Sequence, residues 1–376
     1  MRVGFLFNHY LTYQVLHGAP FAFALSRTRP DFHVELLFST KESYAEAQRI
    51  ATLYPGQQCH FRLLRRLGGD LVATRFPSLH RPLVLLANAG LLATFNALVA
   101  PEKNFILLKA LSAFQSVKFI GLRHGVGPSY TPLNKGALKF DCYLGPGRSY
   151  YERYKDELPV GCCEIVGYPK FEVLQKLKPA PPVLFDNDRP VVLYTPHFNP
   201  RLSSWLTMGQ KILGFFKNSS EYNLIFAPHV RLFKHASCHG NISLEGFRDA
   251  AHILIDTGSE RSHDMTYTLA ADIYVGDISS QVAEFIYWRR RPCVFLNPLG
   301  LEPSSMKFWK MGPVINGDGD IGKALTLAGR AFDEKYKPEQ DIFADASFAP
   351  HSRPPSVLGA EAIIRFLSKA FPVSAR

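Results

Sequence analysis

The sequence predicts an α/β protein of two domains, each a parallel sheet covered by helices on both faces. Three observations carry this reading: a length of 376 residues, a recurring alternation of short β-rich apolar runs with longer helical patterns, and a proline-rich break near the middle. A chain of that length exceeds what one hydrophobic core ordinarily serves, so two domains of usual size are expected.

The first half opens on the apolar run Val3 to Phe7, followed by Val34 to Phe38, Val117 to Leu122, Cys142 to Leu144 and Glu164 to Val166. The second half repeats the scheme with Val191 to Thr195, Leu224 to Ala227, His252 to Asp256, Ile273 to Val275 and Cys293 to Leu296. Short apolar runs separated by a turn and a helical stretch are the pattern of parallel strands buried on both faces. The most apolar stretch, Pro82 to Ala100, contains Asn88, Gly90 and Asn96 and is closed by Pro101 and Glu102. A membrane span needs about 20 clean apolar residues, so a buried helix is expected there instead. Between the halves, Lys178-Pro179-Ala180-Pro181-Pro182 stops a helix and stiffens the connection, and Asp186 to Pro190 is loop chemistry. The boundary is placed there, giving domains 1–178 and 179–376.

Apolar residues at 47% and charged residues at 20% exclude a mainly disordered or collagen-like protein. The formal net charge of +11 argues for an anionic partner, whether nucleotide, polyphosphate, acidic lipid surface or nucleic acid. The six cysteines are scattered without a CxxC pair and read as reduced thiols. Met1 to Asn8 starts at once with a strand-like run and lacks the basic start and small-residue cleavage site of a signal peptide, so a cytoplasmic location is expected. The basic run Arg289-Arg290-Arg291 is the candidate for an anionic membrane surface, with a solvated helix end as the alternative. With no RNP-type aromatic motif, zinc finger or long basic arm, nucleic acid is not expected. There is also no Walker A sequence and no strict GxGxxG after the first strand.

In open parallel sheets, ligands sit beyond the carboxyl ends of strands. The strongest such segment runs from Ala270 to Phe285, where a strand ends at Val275, Gly276-Asp277-Ile278-Ser279-Ser280 forms a small-residue turn, and a helix follows from Gln281. Helix-start amides with the hydroxyls of Ser279 and Ser280 make a seat for phosphate oxygens. Glu284, about one turn further along, could accept from ribose hydroxyls. The alternative is that Asp277 and the serines only cap the helix.

Other polar residues follow strand ends. In Arg123-His124-Gly125-Val126-Gly127-Pro128, a turn would expose an imidazole suited to general base work. Pro228-His229-Val230-Arg231 could stabilise a phosphate or leaving group through charge-assisted bonds. Thr195-Pro196-His197 adds a hydroxyl and another imidazole to the same expected rim. Each also has a plain reading as a turn or capping residue. His17-Gly18-Ala19-Pro20 is a further histidine turn, near the first strand, with an acceptor-side role as its candidate function.

Taken in order, these segments resemble the CDP-glycerol glycerophosphotransferase family, the teichoic-acid and capsule polymer enzymes. The family's Trp-His-Gly-Thr-Pro is similar to Arg123 to Pro128, its Gly-Tyr-Pro-Arg to Gly167-Tyr168-Pro169-Lys170, and its Leu-Tyr-Ala-Pro to Leu193 to Pro196. Its Arg-Pro-His-Pro resembles Ala227-Pro228-His229-Val230, and its Ala-Asp-x-x-x-x-Asp-Tyr-Ser-Ser resembles Ala271 to Ser280. The resemblance covers about Val117 to Asn297, roughly half the chain. It departs at Ala227, at Val230 and in the spreading of Thr-Pro into Val126-Gly127-Pro128.

The resemblance implies a GT-B fold of two Rossmann-like domains facing across a cleft, the first on the acceptor side and the second binding the nucleotide donor. It implies His124 as the base and His229 at the donor phosphates. It implies that Ser279 and Ser280 bind the diphosphate and that Glu284 meets the ribose; Thr195, Arg231 and Asp277, read from their places at strand ends, complete the expected donor site. The implied partners are a CDP-linked donor and a polymer or lipid-linked acceptor, with attachment to the inner face of the cell membrane as a further expectation. No cofactor is required, and a magnesium requirement stays open. A nucleotide-sugar glycosyltransferase of the same architecture is the alternative. A noncatalytic basic binding protein is the third reading.

Overall fold

The computed structural model describes all residues except 67–76, 124, 127–135, 159–161, 179, 235–239, 241–242, 263, 278, 280, 303, 305, 349–352 and 373–376, and all remaining side chains except 77–79, 234, 260 and 307. His124 and Ser280, the expected base and one expected phosphate ligand, therefore lie outside the described residues.

The described residues fall into two compact units. Those of Met1–Gly125, Pro132–Leu177 and Asp345–Arg376 form the first, and those of Val126–Thr131 and Lys178–Ala344 the second. The first unit carries β1 (Arg2–Phe7), β2 (His33–Phe38), β3 (His60–Leu63), β4 (Ala97–Ala100), β5 (Lys118–Leu122), β6 (Cys142–Gly145) and β7 (Cys163–Ile165). They form a 7-stranded sheet of order β3-β2-β1-β4-β5-β6-β7. The second unit carries β8 (Val191–Thr195), β9 (Asn223–Phe226), β10 (Ile253–Ile255), β11 (Ile273–Gly276), β12 (Cys293–Asn297) and β13 (Val314–Asn316). They form a 6-stranded sheet of order β10-β9-β8-β11-β12-β13. Every ladder is parallel. The expected α/β class of two Rossmann-like units is thus the observed one.

Alternation along each strand sends side chains to two cores. In β8, Val192 and Tyr194 join the core formed with Trp205, Ile212 and Phe216, while Leu193 joins the opposite core with Ile225, Phe285 and Trp309. Full burial of each such aliphatic or aromatic side chain contributes about 1.5–3 kcal/mol, which is why β8, from Val192 to Thr195, is buried on both faces.

Two expectations are corrected. The stretch from Pro82 to Ala100 is not one buried helix. The helix Pro77–Ala87 stops at Asn88, whose amide donates to the carbonyl oxygens of Val84 (2.7 Å) and Arg65 (2.9 Å), a short helix Ala89–Leu92 follows, and the stretch ends in the central strand β4. No helix among the described residues is long and apolar enough to cross a membrane.

The second domain also does not extend to the end of the chain. The helix Pro355–Ala370 packs in the first unit, placing Ala360, Ile363 and Leu367 in one core with Phe21 and Leu25 of the helix Ala19–Thr28. Glu172 fixes its start by accepting from the Ser356 amide and hydroxyl, both at 2.8 Å. At the other boundary, Lys178 belongs to the second unit, where its ammonium meets Asp264 at 2.6 Å.

Candidate functional site

The strand order of the second sheet reverses at β8: β9 and β10 lie to one side, β11, β12 and β13 to the other. The loops leaving β8 and β11 therefore diverge and open a crevice beyond their carboxyl ends, the general ligand position of such sheets. The two strands end level, with Thr195 paired to Gly276.

The floor of this crevice is a buried polar layer. Thr195 is 2% exposed, and its hydroxyl donates to that of Tyr274 at 3.0 Å. Asp277 is fully buried, and its Oδ2 accepts from the backbone amides of His197 (2.7 Å) and Ser204 (3.0 Å). Burial raises this carboxyl to about 7, against the lowering effect of the Ser204 side chain and of those two amides. Among the described residues, its other oxygen, Oδ1, has no hydrogen-bond partner. Tyr194 and Ser204 share a bond of 2.9 Å between hydroxyls, and burial together with the Asp277 charge raises the Tyr194 phenol. Thr195 and Asp277, expected on the ligand-facing rim, thus point into the protein and hold the crevice from beneath.

The rim is built by other groups. His197 is half-buried, its Nδ1 accepts from the Asn199 amide at 2.9 Å, and burial lowers it to about 4, so the imidazole is neutral with its proton on Nε2. Its ring centroid lies 5.8 Å from that of His229 and 4.7 Å from that of Phe198. Phe198 in turn lies 4.5 Å from His229 and beneath the Arg231 guanidinium, at 5.3 Å. The Arg231 amide donates to His229 Nδ1 at 3.2 Å. On the β11 side, Ser279 Oγ accepts from the Gln281 amide at 3.2 Å, the capping bond, at the start of the helix Gln281–Trp288. Glu284 lies half-buried in the first turn of that helix. The second unit therefore gathers His197, His229, Arg231, Ser279 and Glu284 around the ends of neighbouring strands. His197 had only a secondary place in the sequence reading, although its position two residues past β8 was the available signal.

In the first unit, Gly125 adopts φ +85°, a left-handed conformation that favours glycine. Its amide donates to Tyr168 Oη at 3.0 Å and its carbonyl accepts from Arg123 Nε at 3.1 Å. The His-Gly and Gly-Tyr-Pro-Lys segments, 43 residues apart, thus meet through Tyr168. The Tyr168 ring also packs against His17 at 5.0 Å. His17 is 2% exposed, so this histidine lies inside the unit and not on an open turn.

The basic run is engaged by the protein. Arg291 is 4% exposed and donates to the carbonyl oxygens of Thr268 (2.9 Å), Ala271 and Phe285, with its guanidinium carbon 3.6 Å over the Phe285 ring. Arg289 meets Asp272 at 3.0 Å and Arg290 meets Asp341 at 2.8 Å. Neither a membrane patch nor a solvated helix end describes Arg291, which ties the ends of two helices together. Among the described residues, no group of three or more His, Cys, Asp or Glu could hold a metal ion.

Fold and crevice together define the GT-B class of two Rossmann-like units. A structure of UDP-GlcNAc 2-epimerase from Neisseria meningitidis bound to UDP-GlcNAc superposes with a TM-score of 0.59 at 12% identity, covering 98% of this chain and 100% of that one. A putative UDP-N-acetylglucosamine 2-epimerase from Listeria monocytogenes gives 0.57 at 12% identity over 100% and 98%. A glycosyltransferase from Rickettsia africae gives 0.53 at 9% identity over 99% of each chain. At such identities the likeness establishes the fold alone. No family model and no curated protein sequence matches the chain.

Proposed function

We propose that the protein is a transferase that uses a nucleotide-diphosphate-linked donor, seated beyond the carboxyl ends of β8 and β11. The observation that carries this reading is the placing of His229 and Arg231 after β9, and of Ser279 and Glu284 after β11, on the two sides of β8, where the second sheet reverses its order. Helix-start amides and the Arg231 cation suit the diphosphate, and Glu284 suits ribose hydroxyls.

The ordered resemblance of Arg123 to Ser280 to the glycerophosphotransferase segments supports glycerol phosphate, or a related polyol phosphate, as the group moved from a CDP-linked donor. In that reaction an acceptor hydroxyl oxygen attacks the distal phosphorus, the bond to the bridging oxygen breaks, and CMP leaves. His124 takes the acceptor proton, while His229, with its proton on Nε2, stabilises the departing phosphate. The acceptor is a hydroxyl of a cell-surface polymer or a lipid-linked precursor.

A second reading, sugar transfer from a nucleotide sugar, is supported by the fold likeness to a structure bound to UDP-GlcNAc. Thermal-shift screening against CDP-glycerol, CDP-ribitol and UDP-GlcNAc, followed by nucleotide product analysis, separates the two. Stabilisation by CDP-glycerol with release of CMP is expected. Release of UDP from a UDP-sugar would replace the first reading by the second, and no stabilisation by any nucleotide would overturn both.

A further inference from the structure

We infer that His197 is a donor-contacting residue, presenting its Nε2–H to the diphosphate of the nucleotide donor, and that Asp277 acts only through it, as a positioning residue. This rests on the donor seat proposed above and names a contact within it.

His197 is held from two sides. Its backbone amide donates to Asp277 Oδ2 at 2.7 Å, and its Nδ1 accepts from the Asn199 amide at 2.9 Å. The second bond fixes the tautomer, leaving the proton on Nε2. Among the described residues, Nε2 meets no protein acceptor, and it is not among the buried polar atoms that lack partners, so this donor remains open. His197 stands two residues past β8, at the strand whose neighbours diverge, with its ring 5.8 Å from that of His229. A neutral imidazole with one outward N–H, next to the His229 ring and to Phe198, over which the Arg231 guanidinium lies, suits an anionic oxygen and cannot serve as a base through the nitrogen that faces out.

Asp277 cannot reach the ligand itself. It is fully buried, and its Oδ2 also accepts from the Ser204 amide at 3.0 Å, so it joins the two ends of the loop from Pro196 to Ser204. One carboxylate oxygen therefore fixes where the loop begins and where the following helix, Trp205–Asn218, starts.

The test is calorimetric titration of wild type, His197→Ala, His197→Gln and Asp277→Asn with CDP and with UDP, beside their melting curves. One hydrogen bond to a charged phosphate corresponds to about a ten- to hundredfold change in affinity. His197→Ala should weaken binding of the favoured nucleotide by that factor among molecules that remain folded. His197→Gln, whose amide nitrogen falls near the position of Nε2, should recover most of it, which a purely structural role would not require. Asp277→Asn should retain a carbonyl acceptor for both amides and lose less than tenfold. If wild type binds neither nucleotide, the donor seat falls and this inference with it. If wild type binds and His197→Ala binds equally well, the donor seat stands and this inference alone is overturned.

Discussion

The hydroxyl of Thr195 donates to that of Tyr274 across the neighbouring strands β8 and β11, at 3.0 Å and out of reach of solvent. Thr195→Val keeps the shape and removes the donor, so the Tyr274 oxygen loses that partner in a buried setting. A cost of about 1–3 kcal/mol in denaturant unfolding is expected. Nucleotide affinity of the folded variant should stay unchanged, and a tenfold loss would return Thr195 to the ligand-facing side.

Asp277 and His197 oppose each other in their dependence on pH. The Asp277 carboxyl is raised from its ordinary 3.8 to about 7, so the folded chain holds a proton that the unfolded chain has released. Its contribution is full below about pH 4 and is lost as pH rises through about 7. His197 is lowered from 6.5 to about 4 by burial, so its contribution runs the other way, present above about 6.5 and lost toward 4. Asp277→Asn should therefore make stability rise more steeply with pH between about 4 and 6.5, by on the order of 1 kcal/mol per pH unit. Urea unfolding at several pH values checks this, and an unaltered slope would contradict the raised carboxyl.

Arg291 and Arg290 are adjacent in sequence and unequal in consequence. Arg291→Met leaves the carbonyls of Thr268, Ala271 and Phe285 without their common donor, and a loss of at least about 3 kcal/mol is expected. Arg290→Ala breaks an ion pair whose Asp341 is 53% exposed, and should cost no more than about 1 kcal/mol. Equal melting temperatures for the two variants would refute the difference in burial.

Gly359 and Gly329 form a matched pair. A Cβ at Gly359 would stand 2.3 Å from the Phe21 ring, whereas one at Gly329 would meet nothing within 4 Å. Gly359→Ala should lower stability by about 1–3 kcal/mol through overpacking. Gly329→Ala, in the exposed last turn of the helix Ile321–Arg330, should leave it unchanged or raise it by up to about 1 kcal/mol. Calorimetric melting of both measures the contrast.

Most of the fold was legible because strands buried on both faces must be apolar throughout. The strands missed from sequence were those where that rule gives no signal. β4 is an apolar run of 4 residues inside a longer apolar stretch, where period cannot separate strand from helix. β3, at one edge, leaves His60, Arg62 and Leu63 exposed and reads as polar, and β13, at the other, has only 3 residues. The site was legible in position but not in direction. Sequence placed Thr195, His197 and Asp277 at strand ends, yet whether a side chain there faces ligand or core depends on what the neighbouring loop offers it. Asp277 turns inward because the His197 and Ser204 amides need an acceptor.

The return of the helix Pro355–Ala370 to the first unit nests one unit inside the other along the chain. Synthesis proceeds from the amino end, so every segment of the second unit leaves the ribosome before the helix that completes the core around Phe21 and Leu25. The unit that begins first finishes last, and until then the apolar face of the helix Ala19–Thr28 lacks its cover.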